Sequence, residues 1–289
     1  MYGFTLRRVA ETNVPLRDFL MGDCGISRKM LTQVKHGGLI LVNGEPRTVR
    51  FDVSSGDEVT VHFPLEQPAE TMVRSRRPLT VIYEDDYLLA VDKPAGIATI
   101  PSRLHPDDTL ANAVLGYYER IGLHSAIHVI NRLDRDTSGV VLFAKYAYVH
   151  HRFSELQKRG GLSRTYIALV VGMVERQTID APIGRAEHSI MERVVTDDGQ
   201  RAVTHVRHVE SHGDYAALTI QLETGRTHQI RVHMRHIGHP LLGDTMYGGR
   251  PVLARHALHS SSAAFDHPLT GESIVIEAAY PVDFQLEHE

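Results

Sequence analysis

The segments of this chain read as those of an α+β protein. Beyond residue 79 the sequence is strand-rich, with short apolar or alternating runs that follow one another across turn signals and only occasional helical stretches between them. The first seventy or so residues carry a different pattern, two short helices and then strands, which marks a small separate module.

Taken in order, residues 15–22 and 27–36 are predicted as helices, the second capped by Ser27 and ended by Gly37-Gly38. Leu39 to Val42 is a strand that runs into Asn43-Gly44, a strong hairpin signal because both residues tolerate positive φ. Ser55-Gly56-Asp57 is a second turn, before the alternating strand Glu58 to Phe63. With Ile26-Ser27-Arg28 opening a helix, Val42-Asn43-Gly44 and Gly56-Asp57, residues 1–63 resemble the αL-type RNA-binding domain first known from a small-subunit ribosomal protein. Arg28 and Lys29 are the expected RNA contacts, since free backbone N–H groups and the helix dipole favour an anion at a helix N-terminus. The plainer alternative is a small module for docking or stability.

Residues 64–78 mix Pro, Glu, Gln and Arg without periodicity and read as a linker to a second domain, 79–289. Leu79 to Glu84 and Tyr87 to Asp92 form a predicted hairpin about Asp85-Asp86, and the turn Lys93-Pro94-Ala95-Gly96 is expected to leave Lys93 near a surface. Val140 to Ala144 is a core strand fed by a turn at Thr137-Ser138-Gly139. A helix over 146–159, a strand within 164–170 and paired strands over 202–209 and 215–222 follow. The pattern ends with a helix over 227–237 and a closing hairpin of 256–265 with 272–279.

A net charge of −4 argues against indiscriminate nucleic-acid binding, which shows as a strongly basic domain. Positive charge nevertheless collects in Arg28-Lys29, in Arg74-Ser75-Arg76-Arg77 and around Arg226, Arg231 and Arg235, each of which reads otherwise as a solvated face. The single cysteine, Cys24, excludes an internal disulfide framework, no apolar run reaches membrane-spanning length, and the opening residues lack the order of a secretory signal. A cytoplasmic protein with no membrane association and no evident obligate protein partner is the simplest expectation.

Three segments carry chemistry. Asn131-Arg132-Leu133-Asp134-Arg135-Asp136 sets a carboxylate on a loop before a core strand, which alone reads most simply as a loop salt bridge. Arg164-Thr165-Tyr166-Ile167-Ala168-Leu169-Val170 puts a tyrosine in an apolar strand, and Thr224-Gly225-Arg226-Thr227-His228-Gln229-Ile230-Arg231-Val232-His233 packs polar and basic groups into a turn and helix start. Together they resemble the RluA family of pseudouridine synthases. That resemblance spans nearly the whole chain and implies a long, mostly antiparallel mixed sheet with flanking helices. It also implies isomerisation of uridine to pseudouridine in structured RNA without metal or other cofactor, with large-subunit ribosomal RNA the leading substrate and transfer RNA the other.

By the same resemblance Asp134 is the catalytic carboxylate, either a nucleophile toward the sugar or a base for a 2′ proton. Arg231 would hold it charged through a bidentate ion pair against the pull of desolvation. Tyr166 would pack on the target uracil, Ile230 would form the apolar wall, and Arg132 would reach toward RNA whose target base has left its stack. Arg226, His228 and Lys93 are further substrate contacts, and Asn131 stands where the family has histidine, a change that bears on local RNA contact or loop geometry. The alternatives are a catalytically impaired RNA-binding or ribosome-assembly factor, and a metal site among His228, His233, His236 and His239, which lacks a recognised ligand pattern. A glycoside hydrolase using Asp134 with Asp136 fails because loop neighbours two apart seldom flank one bond.

Overall fold

The computed structural model describes residues 2–285. In the N-terminal module the strands Thr5–Val9, Glu58–His62, Leu39–Val42 and Glu45–Pro46 lie in that order in one antiparallel sheet. Helices α1 (Leu16–Met21) and α2 (Arg28–Gly37) pack beside it, burying Leu16, Leu20, Leu31 and Val34 against Ile40, Val42, Val59 and Val61. Ser27 caps α2 by accepting from the Met30 N–H at 3.3 Å, and Asn43-Gly44 turn the hairpin with φ of 51° and 81°. Arg28 and Lys29 are exposed on the first turn of α2.

Aromatic rings join the module to the rest of the chain. Tyr148 lies 5.4 Å from both Phe4 and Phe63, Tyr87 and Tyr146 close round Phe4, and the Tyr148 hydroxyl donates to the Cys24 carbonyl at 2.6 Å. Residues 64–78 carry no helix or strand, yet they form a strap rather than a free linker. Glu66 accepts from the Ala147 N–H at 2.8 Å and pairs with His128, while Asn112 donates to the Val73 carbonyl at 2.6 Å. The strap crosses α3 (Leu110–Arg120) so closely that a Cβ on Gly116 would come within 2.0 Å of the Ser75 carbonyl oxygen. Its bonds go to distant partners, which is why the segment shows no period of its own.

Beyond the strap lies a ten-stranded sheet. The main path runs Gln177–Asp180, Val203–Ser211, Tyr215–Leu222, Leu162–Val171, Leu258–Asp266, Ser138–Ala144, Leu88–Lys93 and Thr80–Glu84, with His128–Val129 and Ser273–Glu277 paired off it. Ser138–Ala144 runs parallel to Leu258–Asp266 and every other pairing is antiparallel, so the sheet is mixed. The period of two is plain in the two central strands. Leu89, Val91, Val141 and Phe143 face α3 and α5 (Gln229–His236), while Leu88, Ala90, Val140 and Leu142 face α4 (Ala147–Lys158).

Several elements have no counterpart in the sequence expectations. Helix α3 buries Leu110 to Gly116 and Tyr118 on nearly all sides, which erases the polar stripe that a surface helix shows. The strands Thr5–Val9 and Gln177–Asp180, and the hairpin of Ile183–Arg185 with Arg193–Val195, are short or largely exposed and carry weak patterns. Helix α5 begins at Gln229 rather than Thr227.

Candidate active site

The loop between His128–Val129 and Ser138–Ala144 forms one wall of a cleft of about 1020 Å³ and carries Asp134. As the main chain leaves the sheet, Ile130 still donates to the Leu142 carbonyl at 2.8 Å. The Asn131 side chain then continues the ladder, accepting from the Leu142 N–H at 2.8 Å and donating to the Val140 carbonyl at 3.1 Å. Both polar ends of Asn131 thus bond the backbone inside the protein, and the residue also lines the cleft. A planar amide with a donor and an acceptor side by side mimics a peptide group.

Side chains from distant segments pin the rest of the loop. Thr99 donates to the Leu133 carbonyl at 2.7 Å, Thr137 pairs with His256 at 2.8 Å, and Arg255 donates to the Asp136 carbonyl at 3.1 Å. Lys93 belongs to this set. Its ammonium donates to the carbonyls of Pro94, Ile97 and Arg135, each at 2.9 Å, and it is fully buried rather than near a surface. Burial pushes the amine down to about 7, partly offset by Asp136 and Asp134, while three acceptors match the three N–H bonds of the charged form. Lys93 thus supports the Asp134 loop from behind and is not positioned to touch RNA. The turn composition of residues 93–96 suggested exposure because it gives no sign of the carbonyl cage.

Asp134 is a quarter exposed, and the Arg231 Nη1 lies 3.3 Å from its Oδ2. The expected bidentate pair exists, but with another carboxylate. Arg231 Nε and Nη2 bond Asp244 at 2.7 and 2.8 Å, and Asp134 receives one longer contact. Burial pulls the Arg231 guanidinium down, yet its bonds to Asp244 and that carboxylate's charge hold it above its ordinary value. Tyr247 stacks on the guanidinium, whose central carbon lies 4.9 Å from the ring centre.

His228 precedes α5 with φ of 57°, a left-handed conformation that non-glycine residues adopt at a cost. Its Nδ1 is 2.8 Å from the Tyr247 hydroxyl and its Nε2 is 3.8 Å from Asp134 Oδ2. Burial lowers the His228 pKa, and Asp134 opposes that shift. Gln229 fixes this helix entry by accepting from the Arg226 N–H at 2.9 Å and from Thr224 at 2.8 Å, while donating to the Val203 carbonyl. Tyr166 and Ile230 line the same pocket as Asp134, both buried, and burial raises the Tyr166 pKa.

Arg132 and Arg226 are exposed at the cleft, where Arg226 donates to the Arg201 carbonyl at 2.9 Å and Arg132 has no partner among the described residues. Arg164 and Lys158 add positive charge to the same cleft, and neither was anticipated. His233 is engaged with Thr204 and the Ala181 carbonyl and His239 with the Val171 carbonyl, while His236 is exposed at the end of α5. Asp244 and Tyr247 also went unanticipated. Asp244 lies thirteen residues beyond Arg231 in a glycine-rich turn, where no helical or strand spacing links the two.

Residues 87–236 match the family model described as RNA pseudouridylate synthase. An uncharacterized RNA pseudouridine synthase of Bacillus subtilis, YjbO, is 46% identical over 266 residues, covering 91% of this chain and 94% of that protein. Ribosomal large subunit pseudouridine synthase D of Xanthomonas campestris is 38% identical over 275 residues, covering 90% and 83%. The solved structure of human RNA pseudouridylate synthase domain containing 1 shares the fold, with a TM-score of 0.58 and 24% identity over 72% of this chain and 85% of that one. The chain therefore belongs to the RNA pseudouridylate synthase family, and it is an isomerase that converts uridine to pseudouridine in RNA.

Proposed function

We propose that Asp134 is the carboxylate of this isomerisation and that the substrate is a uridine of large-subunit ribosomal RNA, met in the cytoplasm. The observation that carries the reading is the ion pair of Arg231 Nη1 with Asp134 Oδ2, 3.3 Å apart at the wall of an open cleft. The reaction breaks the N1–C1′ bond, turns the uracil, forms C5–C1′ and moves the C5 proton to N1, so nothing is added or lost overall. An ionised Asp134 serves either of two first steps, addition to C1′ or removal of the 2′ proton. Tyr166 packs under the uracil and stands near its C5 proton, and Ile230 closes the apolar side. Arg132, Arg226 and His228 position the flipped nucleotide and its phosphates, and most such contacts orient RNA without reading its sequence.

The ribosomal choice is supported by the large-subunit enzymes among the relatives and by the exposed Arg28 and Lys29 at the α2 N-terminus, which suit the phosphates of structured RNA. In this reading residues 1–63 are an RNA-binding domain and residues 79–289 the catalytic one. The test is transcriptome-wide pseudouridine mapping in cells lacking the gene, complemented with wild type or Asp134→Asn. Loss of one or a few large-subunit sites, restored by wild type alone, is the expected result. Sites in transfer RNA would overturn the substrate assignment, restoration by Asp134→Asn would overturn the role of Asp134, and no changed site would favour a binding or assembly factor.

A further inference from the structure

We infer that Asp244 and Tyr247 are positioning residues that aim two N–H donors, Arg231 Nη1 and His228 Nε2, at one oxygen of Asp134, Oδ2, and so leave Oδ1 to meet the nucleoside. The inference rests on the reading of Asp134 as the reacting carboxylate. Arg231 Nη1 and His228 Nε2 converge on Oδ2, at 3.3 and 3.8 Å, and Oδ1 takes no hydrogen bond from any described residue. The asymmetry has a cause in the segment that follows α5.

A guanidinium presents five N–H bonds in one plane. Asp244, 2% exposed, takes the Nε and Nη2 edge at 2.7 and 2.8 Å, and stacking on Tyr247 fixes the plane itself. The second Nη2 N–H faces the Met246 sulfur at 3.8 Å, and Nη1 is left to reach Asp134 Oδ2. With Asp244 absent, Asp134 would be the nearest carboxylate and would draw the fork onto both of its own oxygens. The buried acid thus keeps Arg231 from covering the oxygen that has to react.

The second donor is set by proton counting. The Tyr247 hydroxyl accepts from the Arg193 N–H at 3.0 Å and lies 2.8 Å from His228 Nδ1. Its own single proton then has His228 Nδ1 as its acceptor, which assigns the ring proton of the neutral imidazole to Nε2. Nε2 faces Asp134 Oδ2, at ion-pair reach rather than hydrogen-bond length. The charged and titratable groups about this ring are Asp134, Arg231, Arg193, Asp244 and Tyr247, and burial among them keeps the imidazole neutral at pH 7. The left-handed backbone at His228 fits the same purpose, because it turns the ring back toward the loop before α5 begins.

The experiment compares wild type, Asp244→Asn, Tyr247→Phe and Asp134→Asn. Tritium release is followed from total RNA of gene-deleted cells labelled at C5 of uridine, and the histidine rings of nitrogen-15 labelled protein are read by NMR. We expect Asp244→Asn and Tyr247→Phe to lower kcat by roughly 10- to 100-fold with the half-saturating RNA concentration changed less than about twofold, the signature of a misaimed rather than unbound site. In wild type His228 should carry its proton on Nε2, and in Tyr247→Phe the two tautomers should mix, a change that a purely structural role would not produce. Wild-type kcat in folded Tyr247→Phe, or a wild-type His228 protonated on Nδ1, overturns the inference. If Asp244→Asn fails to fold, those two readings decide it. Asp134→Asn separates the premises: a dead Asp134→Asn beside fully active Asp244→Asn and Tyr247→Phe removes only this inference, whereas an active Asp134→Asn removes the reading beneath it.

Discussion

Replacing Arg231 with methionine strips Asp244 of both of its charge-assisted hydrogen bonds while leaving it 2% exposed. A buried carboxylate without a partner costs about 3–5 kcal/mol, and Asp134, a quarter exposed and still partly hydrated, adds little to that. Asp244→Leu removes the other half, but the guanidinium keeps its contact with Asp134 and its stacking on Tyr247, so about 2–4 kcal/mol is expected. The double variant, Arg231→Met with Asp244→Leu, loses both charges together and puts apolar volume in their place. Its stability should fall within about 2 kcal/mol of wild type, a coupling of at least about 3 kcal/mol between the two positions. Urea unfolding of the four proteins at pH 7 measures this directly. The double variant should fold and still fail to turn over, since Asp134 then lacks its cation. Simple additivity of the two single losses would refute the reasoning, because it would mean that the pair is hydrated rather than buried.

Two other perturbations probe the support behind the loop. Asn131→Ala leaves the Leu142 N–H and the Val140 carbonyl unpaired inside the protein and should cost about 2–4 kcal/mol, with faster amide exchange at Leu142; unchanged exchange would contradict the ladder described for Asn131. His256 and His259 are both buried, and burial pushes each imidazole down to about 4, so the unfolded chain binds protons that the folded chain refuses once the pH drops below about 6.5. The stability they give is complete above that pH and is lost on the way down to about 4, at about 1.4 kcal/mol per unit for each ring. Unfolding midpoints between pH 7.5 and 4.5 should show at least this slope, since burial also lowers His150, His228, His233 and His267, and His259→Asn should remove about 1.4 kcal/mol per unit from it; a level profile in wild type would refute it.

The central strands were legible because their residues are apolar on both faces or alternate, and the hairpin turns because Asn-Gly and Gly-Asp have few other uses. Helix α3 was not, since burial all round leaves no stripe to read, and neither was the strap, whose partners lie tens of residues away. At the site, Asp134, Tyr166 and Arg231 came from motif resemblance and do share one region of the structure. Arg231's principal partner did not, because an ion pair spanning a helix and a turn leaves no spacing in the sequence. The misplacement of Lys93 and the unforeseen backbone bonds of Asn131 have a common origin. A polar residue beside a turn looks like a surface group, yet both are spent on backbone atoms that the departing loop leaves open.

The convergence of the site follows from the one parallel pairing in the sheet. Hairpins alone would alternate strand directions and scatter the strand starts between both ends. Because Ser138–Ala144 and Leu258–Asp266 run the same way, both begin at one end, and Arg255 and His256 arrive beside the Asp134 loop that they hold. Gly139 makes that pairing possible, since at φ 107° a side chain would strike the Ser260 carbonyl, 2.1 Å from where its Cβ would stand. Ser260 in turn pairs with Tyr166 on the next strand, two ladder steps or roughly 10 Å from Gly139. Immediately beside that pair the register slips, leaving Ser261 unpaired between Ser260 and Ser262 and bonded through its hydroxyl to the Thr165 carbonyl. Tyr166 itself faces the cleft by the ordinary period of two, on the face it shares with Ala168 and Val170, while Ile167 and Leu169 point the other way. Strand direction thus brings the Asp134 loop to the end of the sheet where Arg255 and His256 hold it, and the period of two turns Tyr166 toward the same cleft.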